Sequence, residues 1–281
     1  MISVIIPIYN GESTIEVCLA SLCRQSLMPL EIIAVDDGST DETGNVIKEF
    51  IRSHVNCRVS LFRIVHTGPG LARNFGAKYA RGRILVFADS DMTFDPDFLH
   101  KLTRPIFKGK TKGTFSQEEE VANWQKPLAR CWNYFNGLKG KSRISKHFEH
   151  TSPVFRAILK SEFRKIGGFD PIGYTDDWTL SRKLGFEASK ADGAKYYHIN
   201  PETLPEVFRQ ARWIGKNEFI SGTVGRRIFN LFRYSPFYQL PRAVYLYLKF
   251  RQWQILPLAI VYSLAVTFSV MAAFFSEQKY K

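Results

Sequence analysis

Ile84-Leu85-Val86-Phe87-Ala88-Asp89-Ser90-Asp91 decides how the rest of this chain is read. Its uncharged run is bulky and does not alternate, which predicts a strand buried on both faces. Asp89 and Asp91 then stand where that strand leaves the sheet, beside the crevice in which open α/β sheets bind ligands. Two carboxylates held so close repel each other unless a cation or a proton lies between them. A divalent metal carrying a phosphorylated ligand suits the pair. A helix cap or a solvated turn is the plainer alternative for an isolated Asp-x-Asp.

Upstream, the segments alternate. Ile2–Pro7 reads as a first strand, and Ser13 with Glu16 as a capping box for a helix faced by Ile15, Cys18, Leu19 and Leu22. Glu31–Val35 is a second strand ending in Asp36-Asp37-Gly38-Ser39, where Ser39 and Glu42 suggest another capping box. Arg58–Val65 is a third strand, and Gly68–Ala80 a Gly-rich turn opening a helix. Alternation at this spacing predicts an α/β fold, a mostly parallel sheet with helices on both faces. Farther on, Pro96–Phe107 and Glu118–Asn136 read as helices, with Lys108–Gly113 and Lys139–Ser145 as basic loops. Ile166–Phe169 is a tight turn, Thr175–Leu184 a short helix that begins with acids, Ala194–His198 a strand and Pro205–Lys216 a helix.

At 281 residues and a formal charge of +13, the chain can hold one large domain and an appendage. The charge is uneven: from Phe219 onward eight basic residues face Glu277 alone. A basic segment suits nucleic acid or an anionic membrane. The neighbouring stretch favours the membrane, because Ile255–Phe275 is 21 residues without a charge. As a helix it would be about 31 Å long, enough to cross the hydrocarbon core. Arg226–Gln254 interleaves arginines and aromatics, as in helices that lie in the interface. The expected organisation is an α/β domain over 1–225, an interface segment over 226–254, a transmembrane helix over 255–275 and a tail over 276–281. The basic flank places the domain on the cytoplasmic side of a single-pass C-terminal anchor. Ile2–Ile8 lacks a basic leader and reads as a strand rather than a signal. Cys18, Cys23, Cys57 and Cys131 form no metal-binding pattern, so reduced thiols in a cytosolic domain are expected.

Several residues suit chemistry. Asp36 and Asp37 end a predicted strand on the same sheet edge as Asp89 and Asp91, where a carboxylate can bond a ribose hydroxyl or a base N–H; capping the next helix is the alternative. Asp95 and Asp97 flank Pro96 at a helix entry and are better read as caps. Gly68–Asn74 opens a helix whose N-terminus, with Arg73, favours a phosphate. It lacks the Gly-Lys-Ser/Thr ending of a Walker loop.

Taken together, these motifs resemble the family 2 glycosyltransferases and their GT-A fold. Pro7-Ile8-Tyr9-Asn10, Val35–Asp41, Gly68 with Ala72–Gly76, Asp89–Asp91, Gly167–Asp170, Thr175-Asp176-Asp177 and Arg209–Trp213 occur in the family's order. The resemblance covers residues 2 to 216. It implies an inverting, metal-dependent transfer of a sugar from a nucleoside-diphosphate sugar, UDP- or GDP-linked. Pro7, Tyr9, Asn10, Asp36, Asp37, Arg73 and Asp89 would bind the donor nucleotide. Asp91 and Asp89 would hold Mg²⁺ or Mn²⁺, with His198 a further ligand or a phosphate contact; a structural histidine is the alternative there. Asp177 would be the general base, Arg212 would stabilise the departing diphosphate, and Asp176, Trp213 and Arg209 would lie near the acceptor.

Two departures stand out. The family's Thr-Glu-Asp is Thr175-Asp176-Asp177 here, and the Gln of Gln-x-x-Arg-Trp is Arg209. One predicted span offers little from which to build a polymer channel, which favours transfer of a single sugar. The anchor points to a membrane acceptor, such as a polyprenyl phosphate or a glycolipid, and away from nucleic acid. A nucleotidyltransferase would need a Gly-rich loop with a lysine after the first strand, and Pro7–Glu12 has neither. A non-catalytic membrane scaffold of the same fold is the remaining alternative, and the complete set of acids argues against it.

Overall fold

A computed structural model describes residues 1–144 and 150–275. Ser145, in the second basic loop, and the tail over 276–281 lie outside the described residues. In chain order the elements are β1 (Ile2–Ile8), α1 (Ile15–Leu22), β2 (Glu31–Asp36), α2 (Thr43–Ser53), β3 (Val59–Arg63), α3 (Pro69–Tyr79), β4 (Ile84–Phe87), β5 (Met92–Phe94), α4 (Phe98–Phe107), β6 (Gly113–Phe115), β7 (Glu119–Val121), α5 (Pro127–Phe135), β8 (Thr151–Ser152), β9 (Ala157–Leu159) and α6 (Lys160–Lys165). A 3-10 turn over Gly173–Trp178 leads to α7 (Thr179–Leu184), β10 (Ala188–Lys190), β11 (Tyr196–His198), α8 (Leu204–Ile214), α9 (Glu218–Ser221), α10 (Val224–Arg233), α11 (Pro236–Phe250) and α12 (Ile255–Phe275).

The chain divides into two compact units. The first is built from Met1–Glu120, Asp176–His198 and the described residues between Ile144 and Pro171. Its eight-stranded sheet has the order β3-β2-β1-β4-β9-β6-β10-β8. β1 pairs in parallel with β2 and β4, and β2 with β3, whereas β9 runs antiparallel between β4 and β6. The apolar runs predicted as buried strands are buried on both faces. Val4, Ile6 and Ile8 join Leu19, Phe50 and Leu102 in one core, with α1, α2 and α4. Ile5 joins Ala72, Ala77, Phe87 and Phe163 in another, with α3 and α6. Alternation along β1 therefore serves two cores, because successive side chains of a strand point to opposite faces. A second sheet has the order β5-β11-β7.

Local expectations fail where long-range partners compete. Neither predicted capping box forms: α1 and α2 are preceded by Thr14 and Glu42, without a side-chain cap bond. Ser39 instead accepts the Asn10 N–H (2.9 Å), and its own N–H donates to Asp36 Oδ1 (2.8 Å). Asp97 precedes α4 without capping it, accepting the Ser26 hydroxyl, while Asp95 accepts the Tyr197 hydroxyl. The helix expected over Glu118–Asn136 is interrupted, because Glu119–Val121 pairs as β7 and α5 starts only at Pro127. The expectation of reduced thiols is overturned for two cysteines: Cys23 and Cys57 are joined, with Cα atoms 5.7 Å apart across 34 residues of sequence. The sheet brings the end of α1 beside the turn before β3, a proximity that spacing does not reveal.

The second unit is helical, built from Val121–Arg143, Ile172–Thr175 and the chain from Ile199 onward. Its core joins Trp132 and Phe135 of α5, Val207 and Ala211 of α8, Leu246 of α11 and Leu258, Tyr262, Val266 and Val270 of α12. Caps are genuine here: Thr203, Thr223 and Ser235 each accept an N–H of the first turn of α8, α10 and α11. α12 has a mean hydropathy of 2.1 and packs one face on α8. Ser269 Oγ donates to the Arg212 carbonyl at 2.9 Å. Its other face leaves Ile260, Leu264, Phe268 and Met271 exposed.

Candidate active site

The site forms at the carboxyl ends of β1, β2 and β4, where the strand order 3-2-1-4 reverses direction between β1 and β4. Register sets Asp36 opposite Ile8, one residue before Tyr9. Pro7 lies within β1 opposite Val35. Tyr9 is half exposed, and its ring centroid is 4.2 Å from that of His66. Asn10 adopts a φ of 52°, and its Oδ1 accepts the Thr40 N–H at 2.8 Å.

Asp36 and Asp37 are both buried. Besides the Ser39 N–H, the Asp36 carboxylate has Arg63 Nε at 3.6 Å. Asp37 organises the loop into α3. Its Oδ1 accepts the Thr67 N–H (2.7 Å), its Oδ2 accepts the Gly68 N–H (2.8 Å), and His66 Nδ1 lies 3.0 Å from Oδ2.

Arg73, on the first turns of α3, is the centre of the site. Its side chain is 5% exposed and meets three carboxylates: Asp89 Oδ1 at 2.7 Å, Asp177 Oδ1 at 2.9 Å and Asp176 Oδ1 at 3.3 Å. The Phe169 ring lies beneath its guanidinium at 5.5 Å. Arg156, just before β9, takes the second oxygen of Asp89 at 3.2 Å. The neighbouring motifs lock this arrangement. Asn74 donates to the Phe169 carbonyl (2.8 Å) and accepts the Phe169 N–H (2.9 Å), so the Ala-Arg-Asn segment holds the Gly-Gly-Phe turn. Gly168 has a φ of 81°, a left-handed conformation that favours glycine. A Cβ at Gly70 would lie 2.7 Å from Asp176 Oδ2, so only glycine lets that carboxyl approach α3.

The carboxylates separate electrostatically. Burial would raise Asp89, but Arg73, Arg156 and His198 hold it far below the usual range. Burial pushes Asp176 up to about 7; Arg73 opposes the rise, and the charges of Asp177 and Asp89 reinforce it. Three carboxylates around one cation cannot all ionise without cost, and the most enclosed one keeps its proton longest. The Arg73 guanidinium is held more firmly charged, the three carboxylates outweighing its desolvation. Cys18, whose thiol donates to the Asp89 carbonyl at 3.5 Å, is pushed far up by burial and by Asp91 and Asp89.

Asp91 lies on a different branch. Its side chain is 40% exposed, and its Oδ1 is 3.1 Å from His198 Nε2. β11 pairs antiparallel with β5 and sets His198 opposite Met92, which brings the imidazole to the Asp-x-Asp. Among the described residues no three His, Cys, Asp or Glu side chains gather as a complete metal-binding group. A carboxylate and an imidazole are residue types that would hold a divalent cation, and Asp91 and His198 supply one of each.

The structure thus brings together Arg73, Asp89, Asp176 and Asp177, and separately Asp91 and His198. Arg209, Arg212 and Trp213 lie on α8 of the second unit. There Arg209 and Trp213 are exposed, and the Arg212 guanidinium lies 5.0 Å from the Phe268 ring centre and 5.9 Å from that of Phe208. Arg156, Glu119 and His66 escape a reading of the sequence. None belongs to a motif, and only the need for a second buried cation beside the acids could have pointed to Arg156.

Comparison with known proteins identifies the family. Residues 3–167 match the family described as Glycosyl transferase family 2. The glycosyltransferase GlyA of Streptococcus pneumoniae is 36% identical over 205 residues, covering 73% of this chain and 28% of that protein. The uncharacterized glycosyltransferase EpsJ of Bacillus subtilis is 25% identical over 224 residues, covering 74% of this chain and 63% of that one. The chain thus spans less than two thirds of either relative. Among solved structures, the mannosyltransferase PcManGT from Pyrobaculum calidifontis, in complex with GDP-Man and Mn²⁺, superposes with a TM-score of 0.58. The likeness covers 99% of this chain and 76% of that one at 20% identity. With its family match, its ordered motifs and its α/β architecture, this chain belongs to glycosyl transferase family 2 and has the GT-A fold.

Proposed function

We propose that this chain transfers a hexosyl group from a UDP- or GDP-sugar to a membrane-held acceptor, such as a polyprenyl phosphate or a glycolipid, in one inverting step. The observation that carries the reading is Arg73, a buried cation joined to Asp89, Asp176 and Asp177 at the ligand-binding edge of the sheet. Pro7, Tyr9, Asn10, Asp36 and Asp37 surround the nucleotide, and the exposed Tyr9 ring offers a base a stacking surface.

Asp177 is the proposed base. Its side chain is 31% exposed, against 4% for Asp176, and Arg73 fixes it through Oδ1. The acceptor hydroxyl gives its proton to Asp177 as its oxygen bonds to the anomeric carbon, and the bond from that carbon to the diphosphate breaks on the opposite side. Asp91 and His198 would hold Mg²⁺ or Mn²⁺, with Asp89 engaged by the two arginines. When bound, the metal supplies positive charge against the departing diphosphate. Support for that metal is the Mn²⁺ and GDP-Man of the Pyrobaculum structure. The roles of Arg212 with the leaving group, and of Trp213, Arg209 and Asp176 with the acceptor, rest on the motifs alone.

The membrane reading rests on α12, with its exposed apolar stripe, and on α10, whose Arg226, Arg227 and Arg233 alternate with exposed Ile228, Phe229 and Phe232. In this reading α12 is a single-pass anchor; the basic flank favours the cytoplasmic side for the catalytic unit, whereas the Cys23–Cys57 disulfide favours an oxidising one.

The test is a thermal-shift screen of the detergent-solubilised full chain with UDP, GDP and their sugars in Mn²⁺ and in EDTA. A ligand at about 100 times its dissociation constant adds about 2.7 kcal/mol of stability. Stabilisation in Mn²⁺ that EDTA weakens, followed by sugar transfer to a polyprenyl phosphate or glycolipid, is the expected result. No stabilisation by any of these ligands in Mn²⁺ or Mg²⁺ would remove the reading.

A further inference from the structure

The small sheet starts directly after the Asp-x-Asp. Its middle strand, β11, carries His198, with β5 on one side and β7 on the other. β5 follows directly on Asp91, and β7 begins with Glu119. The imidazole is consequently gripped from both ends: Nε2 lies 3.1 Å from Asp91 Oδ1, and Nδ1 lies 2.8 Å from Glu119 Oε1. The other Glu119 oxygen accepts the Tyr196 hydroxyl at 2.8 Å. Tyr196 is fully enclosed and lies under the Arg156 guanidinium at 5.3 Å, so the glutamate has little room to rotate. A carboxylate on one ring nitrogen fixes which tautomer a histidine adopts and how its ring is turned.

We propose that Glu119 is a positioning residue for the metal: by accepting the Nδ1–H of His198, it turns Nε2 towards the space beside Asp91. The inference rests on the metal-dependent reading above. It assigns Glu119 no contact with metal or substrate. Its role is to hold the imidazole ring so that Nε2 faces Asp91, the more exposed carboxylate of the Asp-x-Asp. Glu119 also explains why the segment after the first basic loop must leave the helical pattern: a strand at β7 brings the carboxylate alongside β11.

The full chain in detergent, with Mn²⁺ and either UDP or GDP, provides the test. Titration calorimetry gives the Mn²⁺ affinity in the presence of nucleotide, and pulsed EPR on protein carrying ¹⁵N-histidine reports whether a histidine nitrogen is bound to Mn²⁺. Glu119→Ala, which leaves the His198 Nδ1–H without its acceptor, is expected to weaken Mn²⁺ by about 10- to 100-fold, the usual effect of losing such a partner. It should also diminish the histidine coupling, while nucleotide affinity in EDTA stays unchanged. Tyr196→Phe removes the other bond to Glu119 but spares the His198 contact, so Mn²⁺ affinity and coupling should survive even if the variant melts earlier. Glu119→Gln, whose amide oxygen still accepts, should recover part of the affinity. A Glu119→Ala protein that binds Mn²⁺ within about twofold of wild type and keeps its coupling would overturn the assignment. So would equal losses in Glu119→Ala and Tyr196→Phe, which would mark a structural effect. If wild-type protein itself binds no Mn²⁺ with nucleotide, the metal-dependent reading falls first; if wild type binds and Asp91→Ala does not, a neutral Glu119→Ala sinks this inference alone.

Discussion

Arg73 Nη2 lies 2.7 Å from Asp89 Oδ1, and this bond joins the first turns of α3 to the end of β4. With both Asp89 oxygens held by arginines, the two acids of the Asp-x-Asp have different partners: Asp89 meets the buried cations, and the more exposed Asp91 faces His198.

Arg73→Ala should leave Asp89, Asp176 and Asp177 without their common cation. Removing one partner of a buried ion pair costs about 3–5 kcal/mol, so the melting temperature should fall together with nucleotide-sugar turnover. Arg73→Lys should not restore activity, because a single ammonium cannot span the carboxylates that the planar guanidinium joins. A lysine variant with wild-type kcat/KM would show that the geometry of the fork is irrelevant.

Asp177→Asn should keep its fold, since the side chain is partly exposed and the amide can still accept from Arg73. With a hydroxyl acceptor, kcat should drop by about 10²–10⁴-fold. With a phosphate-monoester acceptor, already ionised, turnover should stay near normal. The same variant assayed on both acceptor types therefore reads out the base and the acceptor chemistry together.

The proton on Asp176 gives a pH dependence with a definite sign. Its folded pKa is raised from an ordinary 3.8 to about 7, so its favourable contribution is complete below the ordinary value. As pH rises between the two values, the unfolded chain releases a proton that the folded chain retains, and stability is lost until about 7. Melting curves of wild type and Asp176→Asn, taken from about pH 4 to about pH 8, should show wild type losing ground to the variant across that window. A constant difference would mean that Asp176 is ionised throughout.

Breaking the Cys23–Cys57 link with a Cys23→Ser substitution, or with reductant, should lower stability by about 3–4 kcal/mol, the entropy regained by a loop of 34 residues. Reductant should not shift the Cys23→Ser protein further. If reductant leaves wild type unchanged, the two thiols are not joined in solution.

Much of the fold was legible because its signals are local. Buried strands such as Ile84–Phe87 show themselves as unbroken apolar runs, and the acids after them as residues that must leave the sheet. Motif order was enough to name Asp36, Arg73, Asp89, Asp91, Asp176 and Asp177. The capping boxes misled because a hydroxyl or carboxylate bonds whichever donor the fold brings nearest: Ser39 took Asn10, and Asp97 took Ser26.

The sequence by itself determined an α/β sheet with acids on one edge, a basic aromatic segment and a long apolar helix, since periodicity and composition suffice for each. Only the tertiary structure decided which partner each acid meets. Arg73 meets Asp177 across 104 residues, Arg156 meets Asp89 across 67 and His198 meets Glu119 across 79. Contacts of that range depend on strand order and register, which align side chains that no local pattern connects. The same reason holds for the Cys23–Cys57 pair and for α12, an apolar run whose composition suits lipid while one of its faces packs on α8.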